Sequence, residues 1–235
     1  MTFKPALIIV DVQEDFCPPD GALQVPGGRD IVPVINELLK LPFPLKIATQ
    51  DWHPEDHISF ASNHPPPNNI PFESTITFKN PIDPAEKPQT TRLWPVHCLR
   101  GSDGRGSDGA KLVPELNFPK EDKVHRIVKK GEDKRVEMYS AFADPFEKPA
   151  VKSDLAKILR EENITDVYCT GLAADYCVYY TALHAAEKGF TTWVVKDAQK
   201  PVKQENMKEV EETYKQDKYK IKMVSKDEVL QKIKQ

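Results

Sequence analysis

Short apolar runs recur along this chain of 235 residues, and stretches with helical periodicity separate them. Each run is too short for a helix and is rich in β-branched residues, which is typical of a strand buried on both faces. Strands that alternate with helices form parallel sheets, because parallel neighbours need a crossover connection. The pattern therefore predicts an α/β fold with six parallel strands: Ala6–Val10, Lys46–Thr49, Val124–Val128, Val167–Thr170, Thr191–Val195 and Ile221–Val224.

The segments between the runs predict helices. Apolar residues follow i, i+3, i+4 spacing over residues 31–39, and Ser153 is placed to cap a second helix. A third helix is predicted over Tyr176–Lys188, with Gly189 as its C-cap. The last helix is predicted over Val202–Lys215, where mixed Lys and Glu residues indicate a solvated face.

The segment Ser62–Arg92 does not fit the alternation. It has seven prolines and no periodicity, and it is predicted to be a long ordered or semi-ordered loop. Loops of this length are uncommon in compact domains and often cover binding sites. Two interpretations stay open for it, a role in shaping a site and a bland insertion.

The composition excludes several function classes. With 33 basic and 36 acidic residues, the formal charge of −3 gives no general attraction to nucleic acid or anionic membrane. No apolar run reaches the roughly 20 residues of a membrane span, and the start of the chain lacks the apolar core of a secretory signal. We therefore expect a cytoplasmic protein without nucleic-acid or membrane partners. Nuclear or peroxisomal pools, and a homo-oligomer, stay open.

Polar residues follow the predicted strands, where sites in open α/β sheets lie. Cys177 falls on the turn between a buried strand and a helix, where the helix dipole and nearby cations favour thiolate and backbone N–H groups can stabilise an oxyanion. Asp11 can accept the thiol proton if burial raises its pKa, and Lys130 can balance the charge. The alternatives are a buried apolar cysteine, a loop-capping aspartate and a surface lysine. The other cysteines, Cys17, Cys98 and Cys169, form no CxxC pair and are interpreted as ordinary buried residues.

A second constellation predicts a metal site. Asp51 and His53 are two residues apart, so in an extended segment they face the same side, and His97 can supply a third ligand. Oxygen and nitrogen donors without thiolates favour zinc in an open site, with iron or manganese possible. An N-cap aspartate beside two unrelated histidines is the alternative. His57 is interpreted as a residue that contacts a ligand or the substrate, although direct coordination stays open.

Four aromatic side chains lie near these polar positions in sequence. Aromatic residues are most often part of a core, but beside polar chemistry they can also form a slot for a flat ring. These candidates are Phe16, Trp94, Tyr139 and Tyr176.

The combined motifs resemble the isochorismatase-like cysteine hydrolases and, within them, the longer eukaryotic nicotinamidases. The resemblance covers nearly the whole chain and rests on five segments. DWHP and WPVHC together are the most selective part, because metal-free relatives are not expected to keep both. The segments are IIVDVQEDFCPPDGALQVPGG (8–28), TQDWHPEDHISFASNH (49–64), LWPVHC (93–98), VKKGED with YSAF (128–133 and 139–142) and CTGLAADYCV (169–178).

The resemblance implies a three-layer, Rossmann-like, isochorismatase-like fold and the conversion of nicotinamide to nicotinate and ammonia, a step of NAD salvage. It also implies that Cys177 attacks the carboxamide carbon, that Asp11 moves the proton and that Lys130 lowers the pKa of its neighbours. The N–H groups of Ala173 and Cys177 would form the oxyanion hole, with a cis peptide between Leu172 and Ala173. The metal would bind the pyridine nitrogen, and the four aromatic residues would enclose the ring.

Two other functions compete with this one. A related amidohydrolase of the same superfamily could act on another small amide, although the predicted metal ligands argue against its metal-free branches. A protein that inherited the fold could also bind a ligand or metal without catalysis. Since the candidate residues run from Asp11 to Cys177, the whole chain, 1–235, is expected to form a single domain.

Overall fold

A sheet of six parallel strands lies at the centre of the molecule, whose computed structural model describes residues 2–234. The six strands run in the order β5-β2-β1-β6-β7-β8, and β3 and β4 form a separate antiparallel hairpin. The order reverses between β1 and β6, a switch point of the kind at which open α/β sheets bind ligands. The strands are β1 (Pro5–Val10), β2 (Leu45–Asp51), β3 (Thr75–Phe78), β4 (Gln89–Arg92), β5 (His125–Lys130), β6 (Asp166–Leu172), β7 (Thr191–Lys200) and β8 (Lys222–Val224).

Helices cover both faces of the sheet. Side chains alternate along a strand, so Leu7 and Ile9 of β1 point to one apolar layer and Ala6, Ile8 and Val10 point to the other. Helices α1 and α5 pack in the first layer, and α2, α3 and α4 pack in the second. The predicted three-layer α/β fold is confirmed. The helices are α1 (Val32–Leu39), α2 (Leu155–Glu161), α3 (Cys177–Glu187), α4 (Met207–Tyr214) and α5 (Lys226–Ile233).

Within residues 2–234, no helix combines the length and the apolar character that crossing a membrane requires. All six predicted strands form, most of them one to five residues longer than the apolar runs. The runs predict the strands well because a buried parallel strand must be apolar on both faces.

The prediction of Val202–Lys215 as the last helix was wrong at its start and in its order. The backbone N–H groups of Val202 and Lys203 donate to the Asp175 carboxylate at 2.8 and 3.1 Å, which holds this segment outside the helix. Helix α4 therefore begins only at Met207, and α5 follows it. The start of α5 carries a capping box, in which Ser225 and Glu228 bond each other's backbone N–H.

The proline-rich segment also differs from the prediction. Residues 62–92 were expected to lack regular structure, yet they contain the β3–β4 hairpin, with Thr75 opposite Arg92 and Phe78 opposite Gln89. Prolines flank these two short strands and do not interrupt them. A strand of four residues in a polar segment leaves little hydrophobic pattern, so sequence periodicity could not reveal it.

Candidate active site

Four of the predicted site residues meet at the carboxyl edge of the sheet. Asp11 directly follows β1, Asp51 ends β2, Lys130 ends β5, and Cys177 begins α3 after β6. Because Asp51 lies opposite Lys130 in the β2–β5 ladder, their side chains form an ion pair. The strand order thus brings together residues that lie far apart in the sequence.

A close approach of two backbones sets the position of the turn that carries Cys177. Gly171, near the end of β6, has φ +107° and lies opposite Val10 of β1. A Cβ at this position would lie 2.0 Å from the Val10 carbonyl oxygen, so only glycine fits here. The peptide bond between Leu172 and Ala173 is cis, as the family resemblance implies.

This turn leaves two backbone N–H groups available. The N–H of Ala174 donates to the Lys200 carbonyl at 2.8 Å, and the N–H of Val178 donates to the Ala173 carbonyl at 3.1 Å. The N–H groups of Ala173 and Cys177, by contrast, have no hydrogen-bond acceptor within residues 2–234. Free donors beside a nucleophile at a helix N-terminus can stabilise an oxyanion.

Lys130 links the candidate nucleophile to both carboxylates. Its Nζ lies 3.0 Å from Asp11 Oδ2 and 3.4 Å from Cys177 Sγ, and it forms the ion pair with Asp51. Burial alone would lower the pKa of Lys130, but Asp11 and Asp51 raise it well above the ordinary value. Lys130 is therefore a permanent cation at this site.

Asp11 has the properties of a general base. Its Oδ1 accepts a hydrogen bond from Thr49 Oγ1 at 2.5 Å, while its buried Oδ2 lies 3.0 Å from Lys130 Nζ. Burial raises the pKa of Asp11 to about 6, against the opposing charge of Lys130. A carboxylate with a pKa near neutrality can both accept and return a proton.

The prediction that Cys177 is a thiolate was wrong. Burial raises the pKa of the thiol well above its usual value, and this effect outweighs the opposing charge of Lys130. The thiol therefore holds its proton at neutral pH and needs a base for attack. Asp11 is placed to be that base, because oxygens of Asp11 and Asp51 and the sulfur of Cys177 all lie within 4.8 Å of one another.

The predicted metal ligands also come together. Asp51 Oδ2 lies 3.6 Å from His53 Nε2 and 4.0 Å from His97 Nε2, and all three side chains are buried. Burial alone would raise the pKa of Asp51, but Lys130 and His53 hold it well below the usual range. Burial and the charge of His53 lower the pKa of His97 to about 3, so this ring is neutral.

Hydrogen bonds at the far side of each ring fit a metal site. Nδ1 of His53 lies 2.8 Å from the Gly131 carbonyl, and Nδ1 of His97 lies 2.8 Å from the Pro95 carbonyl. Since a carbonyl only accepts, each Nδ1 carries a proton, and Nε2, which faces Asp51, is the nitrogen that can bind a metal once it is unprotonated. Asp51, His53 and His97 can therefore hold a divalent metal ion.

Gly131 admits the His53 ring. A Cβ at Gly131 would lie 2.3 Å from Cε1 of His53, and the backbone here has φ +70°. The glycine of the VKKGED segment thus serves the metal site, one residue beyond Lys130. The His57 ring is tilted against the His53 ring with centroids 4.1 Å apart, and its Nδ1 bonds Ser59 Oγ at 2.8 Å. His57 lies beside the metal ligands but outside the group of three.

A small pocket opens beside Cys177 and the metal ligands. All four predicted aromatic residues line it, and the Trp94 ring contacts the Tyr176 ring edge-to-face with centroids 5.0 Å apart. Leu23, Val25 and Val202 complete the apolar walls. An apolar slot with a thiol and a metal group in its walls fits a flat aromatic ring that carries a polar substituent. The four aromatic residues are Phe16, Trp94, Tyr139 and Tyr176.

Three further residues of the site were missed by sequence reasoning. Gln13 fixes the Asp51 backbone, because its amide donates to the Asp51 carbonyl at 3.0 Å and accepts from the Asp51 N–H at 2.8 Å. Thr49 orients Asp11, and Glu137 lines the pocket with a carboxyl whose pKa burial raises. Gln13 lies within the VDVQ motif, which was a usable signal; nothing in the sequence distinguishes Thr49 or Glu137.

Comparisons with known proteins agree with this geometry. The family model of the isochorismatase domain matches residues 5–217. Nicotinamidase of Schizosaccharomyces pombe is 33% identical over 235 residues, which cover 99% of each chain.

Solved structures extend the likeness to three dimensions. The yeast nicotinamidase bound to the inhibitor nicotinaldehyde has a TM-score of 0.84 and 35% identity, over 94% of this chain and 99% of that chain. The pyrazinamidase of Pyrococcus horikoshii in complex with zinc has a TM-score of 0.70 and 34% identity, over 94% of this chain and 99% of that chain.

Proposed function

The chain belongs to the isochorismatase family, and from that membership we propose that it hydrolyses nicotinamide to nicotinate and ammonia, with Cys177 as the nucleophile. The reaction supplies nicotinate to NAD salvage. One observation carries the proposal: Asp11 and Lys130 lie beside the Cys177 thiol, and Cys177 lines a pocket that suits a single aromatic ring. The names of similar proteins support the same substrate.

In the first step, the Cys177 sulfur attacks the carboxamide carbon and its proton moves to Asp11 Oδ2. The developing oxyanion accepts hydrogen bonds from the N–H groups of Ala173 and Cys177. The positive charge of Lys130 stabilises the negative charge on Asp11 and on the sulfur, which burial would otherwise disfavour. The enzyme therefore needs no histidine as the general base.

In the second step, Asp11 returns the proton to the carboxamide nitrogen, the C–N bond breaks and ammonia leaves. Water then attacks the thioester carbon while Asp11 accepts a proton from it. The C–S bond breaks, nicotinate is released and the proton returns to the Cys177 sulfur. One carboxylate thus serves as acid and base in turn, which its pKa of about 6 allows.

The ring is held by the walls of the pocket. Phe16, Trp94, Tyr139 and Tyr176 line the slot, so a planar pyridine can pack between them. Asp51, His53 and His97 would hold a metal ion, which we propose to be zinc and which would supply a Lewis acid for the nitrogen of the pyridine ring. Thiol and metal ligands line the same pocket, so the ring orientation decides which substituent meets Cys177.

The proposal is tested by incubating purified, metal-loaded protein with nicotinamide and measuring ammonia and nicotinate. We expect the two products in equal amounts. Nicotinic acid without ammonia, or no product at any metal loading, would contradict the proposed function.

Replacing His97 by alanine should weaken metal binding by about a hundredfold or more, because loss of a direct ligand costs at least as much as loss of an outer hydrogen-bond partner. Metal analysis of the purified variant, with dialysis against a chelator of graded strength, measures the change. His125→Ala is the matched control. Nδ1 of His125 lies 3.1 Å from Asp122 Oδ1, and neither residue belongs to the predicted metal site. Equal metal content in both variants would exclude His97 as a ligand.

A further inference from the structure

The β3–β4 hairpin lies against the substrate pocket. Thr91 of β4 points inward and is buried, whereas its neighbour Thr90 points outward and is exposed. The loop before the hairpin makes a second contact, in which the Phe72 ring meets the Trp94 ring edge-to-face with centroids 5.8 Å apart. The proline-rich segment therefore touches residues that line the pocket.

The inward contact of the hairpin is with the hydroxyl of Tyr139. Trp94 Nε1, which can only donate, donates to this hydroxyl oxygen at 2.9 Å. The oxygen of Thr91 lies 2.8 Å from the same hydroxyl. The Tyr139 oxygen thus accepts from Trp94, and its proton is free to be donated to Thr91. Its ring remains available as an apolar wall.

A cavity behind Tyr139 leaves its ring room to move, so the contact with Thr91 can decide where the ring lies. A second cavity of about 240 Å³ is lined by Tyr139, by Thr90 and Thr91 of the hairpin, and by Tyr180 and Leu183 of α3. Tyr139 and Glu137 line both cavities and therefore separate this cavity from the substrate pocket. If the bond to Thr91 is lost, Trp94 alone holds the hydroxyl, and the Tyr139 ring has room to shift toward the second cavity.

We propose that Thr91 is a positioning residue that sets the wall of the substrate pocket by holding Tyr139. This inference rests on the proposed function for its substrate. It assigns the hairpin a part in binding the aromatic ring, while the reacting carboxamide stays with Cys177. Loss of the contact is therefore expected to weaken substrate and transition state equally, which raises KM and leaves kcat unchanged.

The test compares Thr91→Val with Thr90→Val. Both changes replace one hydroxyl by a methyl group, in adjacent residues, but within residues 2–234 Thr90 Oγ1 bonds only Thr77, at 2.9 Å within the hairpin. We expect Thr91→Val to raise KM for nicotinamide about fivefold, the factor that corresponds to one ordinary hydrogen bond, with kcat within about twofold. Thr90→Val should leave both constants unchanged. Thr91→Ser, which keeps the hydroxyl, should restore KM.

A double substitution separates positioning from a general loss of packing. In a Tyr139→Phe background the hydroxyl is gone, so adding Thr91→Val should raise KM no further. The proposal would be overturned if the increases in KM of Thr91→Val and Tyr139→Phe multiplied in the double variant. An unchanged KM in Thr91→Val, or equal effects of Thr90→Val and Thr91→Val on KM, would also overturn it.

Crystal structures of the two threonine variants give a readout that does not depend on the substrate. Tyr139 should turn toward the second cavity in Thr91→Val and keep its place in Thr90→Val. An unmoved Tyr139 ring in Thr91→Val would overturn the positioning role. A wild-type protein that releases no ammonia would instead overturn the proposed function, while the position of Tyr139 would still decide the role of Thr91.

Discussion

Replacing Cys177 by alanine is expected to reduce kcat for nicotinamide hydrolysis by roughly 10⁴- to 10⁶-fold, the range observed when a covalent nucleophile is removed. Alanine offers no atom that can bond to the carboxamide carbon, and no other cysteine takes part in the Lys130–Asp11 group. Pocket walls and metal ligands stay in place, so substrate binding should persist. The variant should therefore bind nicotinamide and fail to release ammonia.

The matched control is Cys169→Ala. Cys169 lies in β6 opposite Ile8, fully buried, and burial raises the pKa of its thiol to about 12. This change should lower the free energy of unfolding through a small cavity and leave kcat intact. Ammonia release is compared at equal metal content. Full activity in Cys177→Ala, or equal losses in the two variants, would contradict a role of Cys177 as the nucleophile.

Replacing Asp11 by asparagine should lower kcat by about 10²- to 10⁴-fold, the usual contribution of a general acid–base group. Asparagine can keep the contact with Thr49 but cannot accept the thiol proton. The fold should not suffer. Since burial raises the pKa of Asp11 from 3.8 to about 6, the folded state binds this proton more tightly than the unfolded state. The stability that the bound proton contributes in the wild-type protein is therefore lost as pH rises from 3.8 to about 6.

The same pKa predicts the pH dependence of the wild-type enzyme. Asp11 must be ionised to accept the proton, so kcat/KM should fall about tenfold per pH unit below pH ~6. An unperturbed aspartate would place this decline near its ordinary pKa of 3.8. The residual activity of Asp11→Asn should lack the decline.

Asp166→Asn is the control for Asp11→Asn, because Asp166 is an aspartate at the opposite edge of the sheet. Asp166 begins β6 and accepts a hydrogen bond from Trp193 Nε1 at 3.1 Å, away from the reaction. This variant should keep the wild-type kcat and the same decline at low pH. A decline near pH 4 in the wild-type enzyme, or its persistence in Asp11→Asn, would assign the proton transfer to another group.

Sequence alone located much of the fold and the polar groups. Strands buried on both faces must be apolar, so β1 and β6 were visible as short runs. Parallel strands end at one edge, which predicted that Asp11, Lys130 and Cys177 would meet. The structure brings them together, although their catalytic roles remain predictions that the variants above test.

Other features depend on contacts that no local pattern records. The expected thiolate at Cys177 followed from its place at a helix N-terminus, whereas the structure shows that burial dominates. The role of Thr49 depends on its place in the strand beside Asp11, which only the sheet order reveals.

Helix α5, by contrast, could have been predicted from the sequence, because Ser225 and Glu228 have the spacing of a capping box.

The thioester on Cys177 is the central claim, and partitioning by hydroxylamine tests it most directly. Hydroxylamine competes with water for an acyl-enzyme, so the reaction is run with nicotinamide and rising hydroxylamine while ammonia, nicotinate and the hydroxamate of nicotinate are measured. We predict that the hydroxamate replaces nicotinate in proportion, with ammonia released at least as fast, and that Cys177→Ala forms neither product. Nicotinate formed at an unchanged rate without any hydroxamate would contradict a covalent intermediate on Cys177.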